Sequence, residues 1–337
     1  MFLVYGDTLF DFFLESEAGP GAATYAARAG GSPFNVAIGL ARLGIESGLM
    51  AGLSSDMLGQ RLGQVLEAEG VSRRYLIATD RPTTISLVGL DAAGVPAYQF
   101  YDSSDTGVRP EDLPEIGAEV TGLHFGSYCL AAAPVADAAA ALAQASRRRF
   151  ISVDPNVRPT VVPDMAIWRA RLDVLFPLAD LVKISAEDLE LLWPGRSAAS
   201  FAEDVLRRGA RLVVVTDGGE AAHGWTASGH HASATPPKVT VIDTVGAGDT
   251  FQAALIGQPA RVIERISGFV GQMKRGTSAI AGSITYRSVE GRARIIASLD
   301  VPIDLSMEFV TRSVKPGTSP IGVEVNGRVV GTLHSAP

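Results

Sequence analysis

The feature that most constrains the fold of this chain is the alternation of short apolar runs with helical stretches. The apolar runs, which we predict to be buried strands, are residues 2–5, 123–128, 150–154, 181–185 and 211–216. The helical stretches are residues 36–43, 131–147 and 199–208. Alternation of this kind is typical of a mostly parallel sheet with helices on both faces. Ligands of such sheets bind beyond the carboxyl ends of the strands, so we expect the functional site at that edge.

Two segments interrupt the alternation, residues 11–29 and residues 84–101, and both have the pattern of β-strands. The second has the pattern of a hairpin that turns at residues 91–94. Extra strands of this kind predict a small β lid over the edge of the main sheet. A lid is useful in phosphate chemistry because it keeps competing water out.

The composition excludes several classes of protein. The chain has 337 residues, of which 47% are hydrophobic and 19% charged, so it can bury a sizeable core. Its net charge of -7 argues against a dedicated nucleic-acid binder, because no cationic field neutralises phosphates. A single cysteine, Cys129, excludes a disulfide scaffold. No apolar run approaches the roughly 18 residues of a membrane span, and no basic segment precedes the first apolar run, so we expect a cytoplasmic protein without a membrane partner.

The strongest local signal is the glycine-rich segment Asp243–Phe251, DTVGAGDTF, which follows a strand candidate at residues 239–242. Gly246 and Gly248 allow a ligand to approach the backbone closely, and the N–H groups of residues 246–249 would point at an anion as a helix begins. Asp249 would repel a plain phosphate, so its presence indicates a base that takes a proton beside the phosphate. The alternative is a structural turn with Asp249 favoured by the helix dipole.

A second glycine pair, Gly30–Gly31, precedes Ser32, Pro33, Phe34 and Asn35 and the predicted helix at 36–43. The glycines permit close approach of a ligand, and the Asn35 amide can both donate to and accept from hydroxyl groups. The alternative is an ordinary helix start, with Ser32 or Asn35 as the N-cap and Pro33 in the first turn.

Two acidic residues, Asp7 and Asp11, follow the first predicted strand. Their carboxylates have the chemistry to bind hydroxyl groups of a ligand. The sequence equally allows them to do no more than end the strand.

Two of these segments, GGSPFNVAIGLARLG at residues 30–44 and DTVGAGDTF at residues 243–251, resemble the two signature segments of the ribokinase/PfkB family of sugar kinases. The resemblance covers roughly residues 1–257. It implies a three-layer αβα ribokinase-like fold with a central, mostly parallel sheet and a small β lid. It also implies transfer of the γ-phosphoryl group of ATP to a sugar hydroxyl, with Mg²⁺ as cofactor.

The resemblance implies a role for each matching residue. Asp249 would be the catalytic base, and Gly246, Ala247 and Gly248 would form the anion hole. The residues on the sugar would be Asp11, Gly30, Gly31, Asn35 and Asp249.

The segment Asp154–Pro159, DPNVRP, resembles the D-P-N-x-R-P segment of bacterial fructokinases. Asn156 can bond a sugar hydroxyl, and Arg158 can neutralise a phosphate with two hydrogen bonds. Kinases of acid sugars such as 2-keto-3-deoxygluconate carry a similar D-x-N-x-R, in which the cation would suit a substrate carboxylate. A proline-bracketed loop with a solvated arginine is the structural alternative.

Two further segments resemble parts of the family's nucleotide site. In residues 183–188, KISAED, Ser185 stands where the family has asparagine and Asp188 where it has glutamate. We predict that Lys183 and Ser185 contact the nucleotide and that Glu187 and Asp188 hold Mg²⁺ through water. The alternative is that Ser185 caps a helix whose dipole the two acids complement.

The glycine turn at residues 216–220, TDGGE, follows the apolar run 211–216. It resembles the turn that the family places against the nucleotide, which implies that Thr216, Gly218 and Gly219 contact ATP. The alternative is a turn with no ligand.

The last eighty residues depart from the family pattern. Residues 258–337 contain ten Lys and Arg against six Asp and Glu, a balance of +4, whereas the remainder carries nineteen against thirty, or -11. Residues 320–332 predict a β-hairpin that turns at Asn326–Gly327. The family closes its adenine and monovalent-cation sites with a small-residue turn in this region, and no match to it is found here. We therefore divide the chain into a kinase body, 1–257, and a divergent region, 258–337.

The sequence favours an ATP-dependent sugar kinase, most similar to a fructokinase. One alternative is a kinase of 2-keto-3-deoxygluconate or of another sugar or nucleoside. Another is a kinase-like sugar-binding protein that is impaired in catalysis by its divergent end. A monovalent cation such as K⁺ is a further expectation from the resemblance. Because lid strands can pair between protomers, a homodimer through the lid is also an expectation.

Overall fold

A computed structural model describes residues 1–17, 19, 21–90, 96–101, 104–236 and 245–258, together with five strands between residues 282 and 333. The helices are α1 (Ser32–Arg42), α2 (Met57–Ala68), α3 (Val135–Ala145), α4 (Met165–Leu175), α5 (Ala186–Leu192), α6 (Ala198–Arg207) and α7 (Ala247–Gly257). The strands are β1 (Phe2–Tyr5), β2 (Leu9–Glu17), β3 (Ala23–Gly30), β4 (Ser47–Met50), β5 (Gly52–Ser54), β6 (Ile77–Thr79), β7 (Thr84–Leu90), β8 (Pro96–Tyr101), β9 (Gly122–Gly126), β10 (Phe150–Asp154), β11 (Leu181–Ser185), β12 (Leu212–Thr216), β13 (Ala222–Thr226), β14 (His231–Ala234), β15 (Gly282–Ser288), β16 (Arg292–Leu299), β17 (Leu305–Val310), β18 (Ile321–Val325) and β19 (Arg328–Leu333).

The central sheet has eight strands in the order β14-β13-β12-β11-β10-β9-β1-β4. The six strands from β12 to β4 are parallel, and β13 and β14 continue the sheet antiparallel. Alternate side chains of these strands point to opposite faces, so Leu3 and Tyr5 join one core and Val4 joins the other. Helices α1, α2 and α7 pack on the Val4 face, and α3 to α6 pack on the opposite face. The predicted three-layer αβα fold is confirmed.

The predicted strands at residues 150–154 and 181–185 are confirmed without change, but several predicted boundaries are wrong. The helix predicted over 131–147 is Val135–Ala145, and a 3₁₀ turn at Tyr128–Leu130 precedes it. Pro134 is the physical reason, since proline has no N–H and disfavours helical backbone in the residue before it. The strand predicted over 123–128 accordingly ends at Gly126.

The lid is a separate four-stranded sheet in the order β3-β2-β7-β8. Its strands occupy the two segments predicted from the sequence. Strand β2 pairs antiparallel with β3 and parallel with β7, and β7 pairs antiparallel with β8. The predicted turn at residues 91–94 lies outside the described residues. The lid exposes large apolar side chains at Leu14, Tyr25 and Tyr101.

Beyond residue 258 the structure describes only strands. Strands β15, β16 and β17 form an antiparallel sheet, and β18 pairs antiparallel with β19. The strand pairing of the predicted hairpin at 320–332 is therefore confirmed, while its turn at Asn326–Gly327 lies outside the described residues. The division of the chain at residue 257 stays a prediction. Among the described helices, none has the length and apolarity that crossing a bilayer requires.

Candidate active site

The candidate site lies where the parallel strands of the central sheet end. The chain leaves β1 at Asp7, β10 at Asp154, β11 at Ser185 and β12 at Thr216. Because these strands are parallel neighbours, their carboxyl ends meet at one edge. Helices α1 and α7 begin at the same edge, since side chains in their first turns contact each other.

Asp249 occupies the first turn of α7, directly after the glycine-rich loop. The N-cap of the helix is Gly246, whose φ of 76° lies in the left-handed region that favours glycine. The residues that follow it in the first turn have backbone N–H groups that no intrahelical carbonyl accepts. The Asp249 side chain is only 7% exposed. A buried carboxylate therefore lies beside a set of free amide donors, as the sequence predicted.

The Asp249 carboxylate is held by two side chains from α1, 217 and 214 residues earlier in the chain. The Ser32 hydroxyl donates to its Oδ1 at 2.7 Å, and the Asn35 amide donates to its Oδ2 at 2.8 Å. Burial raises the pKa of Asp249, and the two hydrogen bonds partly oppose that rise. The carboxyl group thus combines an increased proton affinity with a fixed orientation, the two properties that a general base needs.

The alternative in which Ser32 or Asn35 caps α1 is wrong. The N-cap is Gly31, no side chain caps the helix, and Pro33 lies in its first turn as predicted. Gly31 has a φ of 108°, and a Cβ there would lie 3.0 Å from the carbonyl oxygen of Asp7. Glycine therefore lets α1 begin directly against the end of β1. That placement turns Ser32 and Asn35 toward Asp249.

The two acidic residues after β1 are partly or fully removed from solvent. Asp7 is 2% exposed, and burial raises its pKa to about 7. Its Oδ1 is buried without a hydrogen-bond partner in the described part of the chain. Burial also raises the pKa of Asp11 to about 6, against the opposing charge of Arg158. A Cβ at Gly30 would lie 2.6 Å from the Asp11 carboxylate, so Gly30 makes room for that group.

The loop after β10 presents one acceptor and one cation. Asn156 has a φ of 45°, and its Oδ1 is buried without a partner among the described residues. Arg158 is half-buried, its guanidinium donates to the carbonyl of Val157 at 2.9 Å, and no described carboxylate lies within ion-pair distance of it. Its charge nevertheless opposes the raised pKa values of Asp7 and Asp11. The positive charge of Arg158 therefore acts on the acidic residues of the site.

A buried ion pair joins β10 to β11. Lys183 Nζ lies 2.8 Å from Asp154 Oδ2, and both side chains are almost fully buried. Burial alone would lower the pKa of Lys183, but the attraction of Asp154 raises it, so the lysine is charged. A Cβ at Gly248 would lie 3.6 Å from Lys183 Nζ. The ammonium group therefore lies next to the amide loop that begins α7.

The start of α5 tests one of the two interpretations of residues 183–188. Ser185 is the N-cap and accepts a hydrogen bond from the Asp188 N–H, so the capping alternative is confirmed for that hydroxyl. Asp188 is buried, accepts from the Val157 N–H, and has its pKa raised by burial to about 6. Glu187 is exposed. Within the described ranges no group of three side chains has the arrangement of a metal site, so Mg²⁺ binding by Glu187 and Asp188 stays a prediction.

The predicted glycine turn after β12 is present. Thr216 ends the strand beside Ser185 of β11, and the turn includes Gly218 and Gly219, both exposed. Gly218 has a φ of 49°. The contact of these residues with a nucleotide stays a prediction.

A buried polar cluster lies beneath the site, and sequence reasoning missed it. Gln252, one turn after Asp249, donates to Ser152 Oγ at 2.8 Å, and Ser152 lies 3.2 Å from His124 Nδ1. All three side chains are fully buried. Burial and the nearby Lys183 lower the pKa of His124 to about 3, so the imidazole is neutral. Polar residues within the apolar runs of β9 and β10 were the one available signal.

Comparison with known proteins agrees with this geometry. The model of the pfkB family carbohydrate kinases matches residues 1–264. The chain is 38% identical to a fructokinase of Rhizobium leguminosarum bv. trifolii over 259 residues, which is 76% of this chain and 78% of the relative. It is 35% identical to a fructokinase of Klebsiella pneumoniae over 67% of this chain and 75% of the relative.

Solved structures agree with these sequence matches. A fructokinase with bound ATP from Xylella fastidiosa has a TM-score of 0.70 and 25% identity, over 79% of this chain and 85% of that one. A fructokinase double mutant from Vibrio cholerae, in its fructose, ADP and potassium ion bound form, has a TM-score of 0.67 and 27% identity, over 76% and 82%. The chain therefore belongs to the pfkB family of carbohydrate kinases, which transfer a phosphoryl group to a sugar hydroxyl.

Proposed function

We propose that this protein is an ATP-dependent fructokinase in which Asp249 takes the proton from the sugar hydroxyl that is phosphorylated. The observation that carries the proposal is the buried Asp249 carboxylate in the first turn of α7, hydrogen-bonded to both Ser32 and Asn35. A base and an anion-binding loop therefore lie together in one turn of backbone. Phosphoryl transfer to an alcohol requires both.

Each remaining site residue has a proposed task. The amides at Gly246, Ala247 and Gly248 would receive the negative charge of the transferred group. Arg158 and Lys183 would add positive charge, and Lys183 is already close to that loop. The nucleotide would contact Ser185, Thr216, Gly218 and Gly219 at the neighbouring strand ends.

The unpartnered acceptors favour a neutral sugar over an acid sugar. The Oδ1 atoms of Asp7 and Asn156 have no hydrogen-bond partner among the described residues, and a sugar hydroxyl is a donor that suits them. The charge of Arg158 already faces Asp7 and Asp11, so a substrate carboxylate would meet a site rich in acids. Asp11, Gly30, Gly31, Asn35 and Asn156 would bind the sugar.

The proposed cofactors are ATP and Mg²⁺. The donor chemistry fits Mg²⁺, which keeps several waters and needs only one or two carboxylates besides substrate phosphates. Asp188 and Glu187 are the candidate protein groups, and the ion would neutralise the phosphates of the nucleotide. K⁺ is proposed by analogy with the potassium-bound Vibrio cholerae fructokinase.

We also propose an oligomeric state and a location for the enzyme. A homodimer through the lid is favoured by the exposed Leu14, Tyr25 and Tyr101. A cytoplasmic location is favoured by the composition and charge.

The test is a substrate panel. The purified full-length chain is assayed for ADP release with ATP and Mg²⁺ against fructose, ribose, glucose, 2-keto-3-deoxygluconate and a nucleoside. We expect kcat/KM for fructose to exceed that for each other compound by at least about tenfold. A higher value for the acid sugar would contradict the substrate assignment. Sugar binding without turnover would identify a kinase-like binding protein. A matched chain with a family-like sequence in place of residues 258–337 would then show whether that region causes the loss of turnover.

A further inference from the structure

The carboxylate of Asp249 is held on both oxygens by one helix turn. Ser32 and Asn35 are three residues apart in α1, so their side chains lie on the same side of the helix. Ser32 donates to Oδ1 and Asn35 to Oδ2, at 2.7 and 2.8 Å. Each oxygen keeps a second lone pair for the substrate. Two donors in this arrangement allow the carboxylate only one orientation.

We propose that Ser32 is a positioning residue for the base, because its hydroxyl holds Oδ1 of Asp249 and so directs the carboxylate at the sugar hydroxyl. This inference rests on the proposed role of Asp249. Family resemblance implied no task for Ser32, and the sequence offered only helix capping, which the structure contradicts.

The two residues that donate to Asp249, Ser32 and Asn35, differ in their other interactions. Asn35 has a second function available, since no described residue donates to its side-chain carbonyl oxygen, which can accept from a sugar hydroxyl while the amide group holds Asp249. Ser32 is 8% exposed, and its hydroxyl donates its one proton to Asp249. A change at Ser32 should therefore affect the base alone, whereas a change at Asn35 should affect sugar binding as well.

Ser32 also contributes to the ionisation of Asp249. Its hydrogen bond stabilises the charged carboxylate and opposes the rise in pKa that burial causes. The other charged groups around Asp249 come from β10, where Asp154 raises its pKa, and from β11, where Lys183 lowers it. Asp7 and Asp11 face it from the end of β1 and from β2. Removing the hydroxyl leaves these groups in place, so the pKa of Asp249 should rise.

The test compares Ser32→Ala with the unchanged protein across a pH series. We expect kcat to fall about three- to tenfold while KM for the sugar stays within about twofold. The acid limb of the kcat profile should move to higher pH, by roughly half to one pH unit. Ser32→Cys, which preserves the shape but is a weak donor, should behave like Ser32→Ala.

The matched control is Ser47→Ala. Ser47 is also buried and its hydroxyl donates to the carbonyl of Ala37 in the same helix, but it does not contact Asp249. This variant should keep the kcat and the pH profile of the unchanged protein. In an Asp249→Asn background, Ser32→Ala should cause no further loss of turnover, because the group it positions is gone.

The outcomes separate the two proposals. If Asp249→Asn keeps normal turnover, the proposed function of the site is wrong. If Asp249→Asn is inactive but Ser32→Ala retains the kcat and the pH profile of the unchanged protein, only the positioning role is wrong. Equal losses of turnover in Ser32→Ala and Ser47→Ala, with no shift of the pH profile, would likewise contradict the positioning role of Ser32.

Discussion

Two carboxylates of the same sheet edge, Asp249 and Asp154, are buried to a similar degree but are held by different kinds of group. Asp249 accepts hydrogen bonds from a hydroxyl and an amide, which are neutral. Asp154 forms an ion pair with Lys183 at 2.8 Å. Neutral donors orient a carboxylate without adding a charge beside it, whereas a cation adds a full positive charge beside it. The difference favours our proposal that Asp249 serves as the base, while Asp154 raises the pKa of Lys183.

The largest effect should follow Asp249→Asn, which removes the proton acceptor while keeping the size of the side chain. We expect kcat to fall by about 10² to 10⁴, the usual contribution of a general base, with KM for fructose nearly unchanged. Steady-state kinetics at saturating ATP measure both. Turnover within about twofold of the unchanged protein would contradict the role of Asp249 as the base.

The second effect should follow Lys183→Met, which leaves Asp154 buried without its cation. Loss of one partner of a buried ion pair costs about 3–5 kcal/mol of unfolding free energy. Urea denaturation measures the loss, and a double variant with Asp154→Leu should recover part of it.

The control for Lys183→Met is Arg207→Met. Arg207 forms exposed ion pairs with Glu203 and Asp204, which contribute at most about 1 kcal/mol. If Lys183→Met were no more destabilising than this surface variant, the ion pair of Asp154 would not distinguish it from Asp249 in stability.

The third effect concerns the pH dependence of stability. Burial raises the pKa of Asp7 from 3.8 to about 7, so the folded protein binds a proton in this range that the unfolded chain does not. Stability attributable to Asp7 is therefore complete at low pH and falls as pH rises from about 4 to 7, by at most about 1.4 kcal/mol per pH unit. Asp7→Asn should remove this slope. Chemical denaturation at pH 5, 6 and 7 measures the unfolding free energy of both proteins. If that free energy changes with pH equally in both, burial does not raise the pKa of Asp7 as expected.

Much of the fold followed from local patterns. The strands at 150–154 and 181–185 were predicted to the residue because each apolar run is bounded by residues that stop a strand. The start of α1 was predicted four residues too late, since Ser32–Asn35 lacks the apolar spacing of the rest of the helix. The start of α3 was predicted too early, because its alanine-rich pattern continues across Pro134 while the helix does not.

The candidate site was predicted residue by residue but not as a set of contacts. Asp249 and Asn35 were both selected from the sequence, yet their hydrogen bond spans 214 residues and depends on the packing of α7 beside α1. For Ser32 the sequence offered only the alternative of a helix cap, because local rules favour serine at a helix start. The cluster of Gln252, Ser152 and His124 was missed because its members lie on three elements.

The sequence by itself determined the alternating architecture, the glycine-rich turns and the identity of the residues that end each strand, because these depend on interactions between near neighbours in the chain. Only the tertiary structure decided which side chains face one another, which carboxylates are buried and what holds each of them. Burial and hydrogen-bond or ion-pair partners depend on how distant elements pack, and they raise the pKa values of Asp249 and Lys183. The chemistry of this edge is therefore a property of the folded chain.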